Sequence, residues 1–283
     1  MPNRTPVWVH LLPALIPAGI LKGGVAVVID VLRATTTMIH ALAAGCDEIV
    51  PCLEIDEARR EAASRPAGTS ILAGERGGLP IEGFDIGNSP ASCTAEVCSG
   101  KTMVMTTTNG TRAILACLEA DRVFVAAFVN KSAIVEALQG LGLPIHIVCA
   151  GTDGQISLED TLFAGALAHE FDALAFDDPR SEPSLHGRDG DLPSDTVLAN
   201  DQAEIASSLW REIEGMIGEG YSLAGALGDG RGGRRVIALG LGSDIVDAAD
   251  VDRHSIAAEL LRDPIRIVAS AGYSDPRPSH IES

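Results

Sequence analysis

Val25-Ala-Val-Val-Ile29-Asp30-Val-Leu-Arg33-Ala-Thr35-Thr36-Thr37-Met-Ile-His-Ala-Leu-Ala-Ala44 is the stretch whose reading decides the fold. Residues 24–29 form an unbroken, largely β-branched apolar run with no polar alternation, the pattern of a strand buried on both faces. Residues 35–44 carry helical spacing. A buried strand that turns through Asp30 and Arg33 straight into a helix is one βα unit.

Working outward, the same grammar recurs. Strand-like runs at 48–51, 70–73, 102–106, 122–128 and 145–149 are followed by helical patterns, after a turn or loop, at 55–64, 111–119, 132–141 and 158–171. The expectation is an α/β protein with a largely parallel sheet and helices on its faces. Residues 74–90 are rich in Gly, Pro and Asp, too irregular for an element and too long for a simple connection. Residues 177–195 lack apolar periodicity and read as an exposed excursion. Beyond them 197–217 is helical, 228–235 a Gly/Arg-rich turn, 236–241 a strand ending in Gly242-Ser-Asp244, and 274–283 a frayed tail.

Composition sets the outer limits. At 283 residues the chain suits one large domain or two small ones. It is 46% hydrophobic but only 4% aromatic, so the core is aliphatic and global disorder is excluded. With 21 basic against 39 acidic residues the formal charge is −18, which repels a nucleic-acid backbone. Only Lys22, Lys101 and Lys131 are lysines, so the cations are mostly guanidinium forks suited to a small phosphate, carboxylate or sulfonate. No apolar run is long enough to span a bilayer and the start lacks signal-peptide order, so a cytoplasmic protein is expected. Six scattered cysteines without paired C-x-x-C spacing read as reduced, buried thiols.

Several familiar motifs fail. Ala95-Glu-Val-Cys-Ser-Gly100-Lys101-Thr102 meets a loose phosphate-loop pattern, but a strand follows Lys101 where a helix is required. Gly240-Leu-Gly242 has Ile245 in place of the third dinucleotide-binding glycine. Cys149 lacks the arginine six residues on that a cysteinyl-phosphate enzyme needs, since Gln155 stands there. Leu32 occupies the position of the second aspartate of aspartyl-phosphate enzymes.

What remains are four polar clusters at predicted strand ends. Asp30, Arg33 and Thr35–Thr37 can hold a cation and an anion side by side, or simply cap a helix. Thr106-Thr107-Thr108-Asn109-Gly110-Thr111-Arg112 can turn backbone N–H groups toward an anion. The 74–90 loop offers hard-cation carboxylates. Cys149-Ala-Gly151-Thr152-Asp153 leads to Ser157, Glu159 and Asp160 at a helix start. Open α/β sheets bind their ligands at this carboxyl edge.

The blocks Ile29–Thr37, Ala73-Gly-Glu75-Arg76 with Gly83-Phe-Asp85-Ile-Gly-Asn88-Ser89-Pro90, Thr107–Thr111, and Cys149-Ala-Gly151 with Glu159-Asp160 closely resemble the ComB-type 2-phosphosulfolactate phosphatases. The likeness runs from about Val25 to Gly165 and fades after Asp177, returning around Leu241–Asp244. It implies a pair of α/β subdomains with parallel or mixed sheets in one unit over 1–283, their boundary near 130–150 and the site between them. It implies Mg2+-dependent hydrolysis of 2-phospho-3-sulfolactate, a step of coenzyme M biosynthesis. Carried over, Asp30, Arg33 and Asp160 are the catalytic candidates, and Asp30, Glu75 and Asp85 the metal candidates. Arg76, Asn88, Ser89, Thr107, Thr108, Asn109, Gly110, Thr111 and Gly151 are the substrate-binding candidates. The motif does not say which carboxylate touches Mg2+. The resemblance also leaves open another 2-phospho acid as substrate, a non-catalytic binder of such a metabolite, and a homodimer.

Overall fold

The chain is described over residues 5–176 and 197–270 by a computed structural model. The expected excursion at 177–195 and the tail at 274–283 lie outside those residues. In chain order come β1 (Val7–His10), β2 (Val25–Ile29), α1 (Ala34–Ala43), β3 (Glu48–Pro51), α2 (Ile55–Ala63), β4 (Ser70–Arg76) and β5 (Leu79–Pro80). Then follow α3 (Ala95–Cys98), β6 (Thr102–Thr106), α4 (Gly110–Ala116), β7 (Arg122–Ala126), α5 (Lys131–Leu138), β8 (Ile145–Cys149) and α6 (Leu158–Phe176). The chain continues with α7 (Asp201–Gly218), α8 (Leu223–Asp229), α9 (Arg231–Ala238), α10 (Gly242–Ala248), β9 (Ala258–Leu261) and β10 (Arg266–Ala269).

The strands form one mixed ten-stranded sheet in the order β1-β8-β2-β7-β9-β10-β3-β6-β4-β5. Its first four strands are mutually parallel, as are β3, β6 and β4. The antiparallel hairpin β9–β10 joins the two groups, pairing with β7 on one side and β3 on the other. Counting these pairings, the two parallel groups run in opposite directions. The turns that follow β2 and β6 nonetheless meet, since a Cβ on Gly110 would lie 2.8 Å from Asp30 Oδ2.

β2 explains why its sequence has no alternation. Val25, Val27 and Ile29 enter one apolar core with Phe124, Ile147 and Phe163, while Ala26 and Val28 enter a second with Met38, Met103 and Val125. Helices cover both faces, so neither set can be polar. All six cysteines are buried and none is in a disulfide. Among the described residues no helix is long and apolar enough to cross a membrane.

Three readings are corrected. Residues 236–241 are not a strand, because Val236–Ala238 end α9 and the chain then turns toward α10. A short apolar run has no period to arbitrate strand from helix. The 228–235 turn is instead the end of α8 and most of α9, since Gly233 lets the helices close together: a Cβ there would lie 2.1 Å from the Leu227 carbonyl oxygen. The third strand-like run extends beyond Ala73 to Arg76, carrying Glu75 into the sheet. The short strands β1, β9 and β10 carry too little local pattern to be read.

Glycine also sets the approach of α6 to α7. A Cβ on Gly165 would fall 2.1 Å from the Ala206 carbonyl oxygen and 2.9 Å from the Trp210 Cβ. Gly165→Ala is therefore expected to destabilise by about 1–3 kcal/mol through overpacking. Thermal unfolding checks this, at roughly 2–4 °C per kcal/mol for a chain of this size class; an unchanged midpoint would mean the helices separate freely.

Candidate active site

Four strand ends converge. β2 delivers Asp30 and Arg33, β4 delivers Glu75, β6 delivers Thr107–Gly110, and β8 delivers Gly151–Asp153 ahead of Glu159 and Asp160. Asp30, Arg33, Glu75, Asn88, Thr108 and Asn109 line one pocket, closed on its other side by α9 through Gly232 and Arg235.

Asp30 is one of three acids lining this pocket, with Glu75 and Asp153. Its Oδ1 accepts the Ala34 N–H at 3.2 Å, while its main chain exchanges bonds with the Thr35 hydroxyl. A Cβ on Gly110 would lie 2.8 Å from Asp30 Oδ2 and 2.5 Å from the Ala34 Cβ, so only glycine admits the turn so close. Burial pushes the Asp30 carboxyl up to about 7; the Ala34 N–H opposes this, Glu75 and Glu159 add to it, and Arg33 opposes it.

Behind it, Asp160 accepts N–H bonds from Val31 and Gly151, both at 2.9 Å, and so ties the β2 turn to the β8 turn. Burial first, then the nearby Asp30 and Glu159, hold its carboxyl well above the usual range. Gly151 has φ +68°, and a Cβ there would strike the Gln155 carbonyl oxygen at 2.5 Å. Asp160 is thus a brace for the pocket floor.

Arg33 is only 5% exposed. Its Nη1 donates to Asp244 Oδ2 at 2.6 Å and its Nη2 to the Gly78 carbonyl at 2.9 Å. Asp244, in the first turn of α10, also accepts the Ser89 hydroxyl at 2.6 Å. Glu75 accepts the Thr108 N–H at 2.7 Å and the Gly78 N–H at 2.6 Å, pinning the two turns together. Thr107 and Thr111 bond each other across the start of α4.

Of the sequence candidates, Asp160, Ser89, Thr107, Gly110, Thr111 and Gly151 are not among the residues lining the pocket, and Arg76 and Asp85 are engaged elsewhere. Arg76 donates to the Leu53 carbonyl and to the Thr106 hydroxyl, and does not line the pocket. Asp85 is exposed and accepts the Leu72 N–H at 2.7 Å, where it holds the returning loop along β4. The site also contains Asp153, which the fourth cluster includes without a role, and Asp244 and Arg235, which are not among the sequence candidates. Asp244 stood in a block that resembled the family; Arg235 had no signal beyond a Gly/Arg-rich turn.

The donor set suits a small hard cation. Among the described residues no group of three or more His, Cys, Asp or Glu side chains is placed to hold a metal. Magnesium, however, is usually held by one or two carboxylates plus substrate phosphate and water. Asn88 Oδ1 and the Thr108 hydroxyl, in the same pocket as Asp30, are buried with no hydrogen-bond partner among the described residues, and are oxygen atoms of the kind such an ion takes. Cys149 is fully buried at the end of β8, and burial with the neighbouring Asp160 and Glu159 pushes its thiol well up, away from nucleophilic form.

A family model described as 2-phosphosulpholactate phosphatase matches residues 10–262. A protein of Symbiobacterium thermophilum named "Probable 2-phosphosulfolactate phosphatase" is 37% identical over 83% of this chain and 90% of its own. A Synechococcus protein of the same name is 41% identical over 71% and 75%, and one of Thermosynechococcus vestitus 34% over 87% and 92%.

Proposed function

The chain belongs to the 2-phosphosulpholactate phosphatase family, a family of phosphoric monoester hydrolases, and from that premise we propose that it hydrolyses 2-phospho-3-sulfolactate to 3-sulfolactate and phosphate with Mg2+ held at Asp30. This is the coenzyme M-type step that the sequence resemblance implies. The observation that carries the reading is the meeting, in one pocket, of the buried Asp30, the buried Arg33 and the unpartnered oxygens of Asn88 and Thr108.

Asp30 is the anionic ligand, with Asn88 Oδ1 and the Thr108 hydroxyl as neutral oxygens beside it. Bound Mg2+ would neutralise phosphoryl oxygens and acidify a water. Arg33, fixed by Asp244 and the Gly78 carbonyl, offers its remaining N–H donors to the phosphoryl group. Asp160 and Glu75 hold the turns that carry these groups, so the reacting phosphorus meets a pre-formed site. A water nucleophile fits the complete burial of Cys149 at the end of β8.

Phosphate release from 2-phospho-3-sulfolactate and other 2-phospho acids, with Mg2+ and with chelator, tests the proposal. Release that needs Mg2+ and favours the sulfonated ester is expected. Stabilisation by the ester without any release would point to a binder instead, and release indifferent to chelator would remove the metal.

The pKa of Asp30 adds a pH dependence with a defined sign. Below about 7 its carboxyl is mostly protonated, so a cation must displace the proton. Mg2+ or Mn2+ should bind about tenfold more tightly at pH 8 than at pH 6, because the ionised fraction rises by about that factor. Calorimetric titration at the two pH values checks this, and equal affinities would remove Asp30 as a ligand.

A further inference from the structure

Arg235 stands on the wall of the pocket opposite Asp30 and has a different kind of partner from Arg33. The face of α9 that carries Gly232, Gly233 and Val236 is buried. A Cβ on Gly232 would lie 1.9 Å from Glu159 Oε1, so this face is packed directly against Glu159 in the first turn of α6. That packing leaves Arg231 and Arg235, one helical turn apart, partly exposed, with Arg235 lining the pocket. Both reach Asp153: Arg235 Nη1 lies 2.9 Å and Arg231 Nη2 3.3 Å from its Oδ2. A Cβ on Gly77 would lie 3.5 Å from Arg235 Nη2, so at this position the β4–β5 turn places no side chain of its own against the guanidinium.

The two arginines of the pocket therefore differ in how freely they can change partners. Arg33 and Asp244 are 5% and 1% exposed, and separating them would strand two buried charges. Arg235 and Asp153 are each 39% exposed, so water and salt already screen their attraction and its loss costs little. An incoming anion can replace Asp153 at Arg235, but not Asp244 at Arg33. The substrate carries, besides its phosphoryl group, further anions that need a counter-charge, and Arg76 is directed away. A guanidinium fork suits either a sulfonate or a carboxylate.

We propose that Arg235, with Arg231 beside it, is the specificity-determining group that receives the second anion of the phosphorylated substrate, taking it in exchange for Asp153. The assignment rests on the phosphatase reading above and gives the pocket two ends. The phosphoryl group lies toward Asp30 and Arg33, and the sulfonate or carboxylate toward α9.

The test compares 2-phospho-3-sulfolactate with 2-phospholactate, which lacks the sulfonate, and with isopropyl phosphate, which lacks both further anions. In Arg235→Gln, kcat/KM for the full substrate relative to isopropyl phosphate should fall about 10–100-fold, mainly through KM. Relative loss against 2-phospholactate as well assigns the sulfonate to Arg235; loss shared by both acids assigns the carboxylate. Arg235→Lys should restore part of the ratio. Asp153→Asn should lower KM for the full substrate severalfold by removing the competitor. An unchanged ratio in Arg235→Gln overturns the assignment, and an unchanged or raised KM in Asp153→Asn overturns the exchange.

A binding arm separates this inference from the phosphatase reading. 3-Sulfolactate should raise the thermal midpoint of the wild type but not of Arg235→Gln, while inorganic phosphate should stabilise both. If no ester is hydrolysed but that pattern holds, the phosphatase reading falls and the anion site stands. If hydrolysis occurs and the variant responds to sulfolactate like the wild type, the anion site falls.

Discussion

Asp30→Asn is expected to lower kcat by about a thousandfold while the protein remains folded. The carboxylate accepts the Ala34 N–H at Oδ1, but among the described residues no hydrogen bond engages its Oδ2, whereas both Glu75 oxygens are bonded, to Thr108 and Gly78, and Asp153 is paired with Arg231 and Arg235. Replacing the Asp30 carboxylate with an amide removes the charge that would bind a cation, yet an amide oxygen still accepts the Ala34 N–H now bonded to Oδ1. Burial already penalises the ionised form, with the carboxyl pushed up to about 7, so a neutral isostere should leave thermal stability equal or slightly higher. Steady-state phosphate release at saturating Mg2+, together with thermal unfolding, checks both halves. Near-normal turnover would place the chemistry elsewhere; a collapse of the fold would make Asp30 a structural group.

Asp244→Ala should be the most destabilising single change at the site, by about 3–5 kcal/mol, because it leaves the Arg33 guanidinium buried without its counter-charge. Against the 5–15 kcal/mol typical of a whole domain, that is a large fraction. It also deprives Ser89 of its acceptor and so loosens the loop that brings Asn88 into the pocket. The double variant Arg33→Met/Asp244→Leu should recover much of the stability, since no charge is then stranded, but not the activity. Denaturant unfolding of the two variants, paired with phosphate release, measures the contrast. If the double variant is as unstable as the single one, the buried pair is not what holds α10 to the β2 turn.

Much of the fold was legible where the information is local. The strand at 25–29 and the helix after Asp30 follow from an apolar run of strand length and a helical period within twenty residues. The same holds for β3 and α2, for β6 and α4, and for β8 and α6. The strands β1, β9 and β10 were not legible. Each is four residues long, and each enters the sheet through a partner distant in sequence: Ile145 for Val7 of β1, Phe124 for Glu259 of β9, and Ile49 for Ile267 of β10. α9 was misread for a related reason, since its glycines look like a turn until Glu159 and Leu227 occupy the space a side chain would need.

The site divides along the same line. Sequence by itself determined that polar clusters end the parallel strands, that Asp30 and Arg33 stand together after β2, and that the acidic chain carries guanidinium rather than ammonium cations. These properties are local or compositional, and spacing along the chain is enough to specify them. Only the tertiary structure decided which of the polar groups share a pocket. It placed Glu75 and Thr108 beside Asp30, sent Arg76 and Asp85 outward, and brought Asp244 to Arg33 across 211 residues and Asp153 to Arg235 across 82. The physical reason is that a buried charge must find its counter-charge wherever the packed helices place one, and that pairing leaves no periodic trace along the chain.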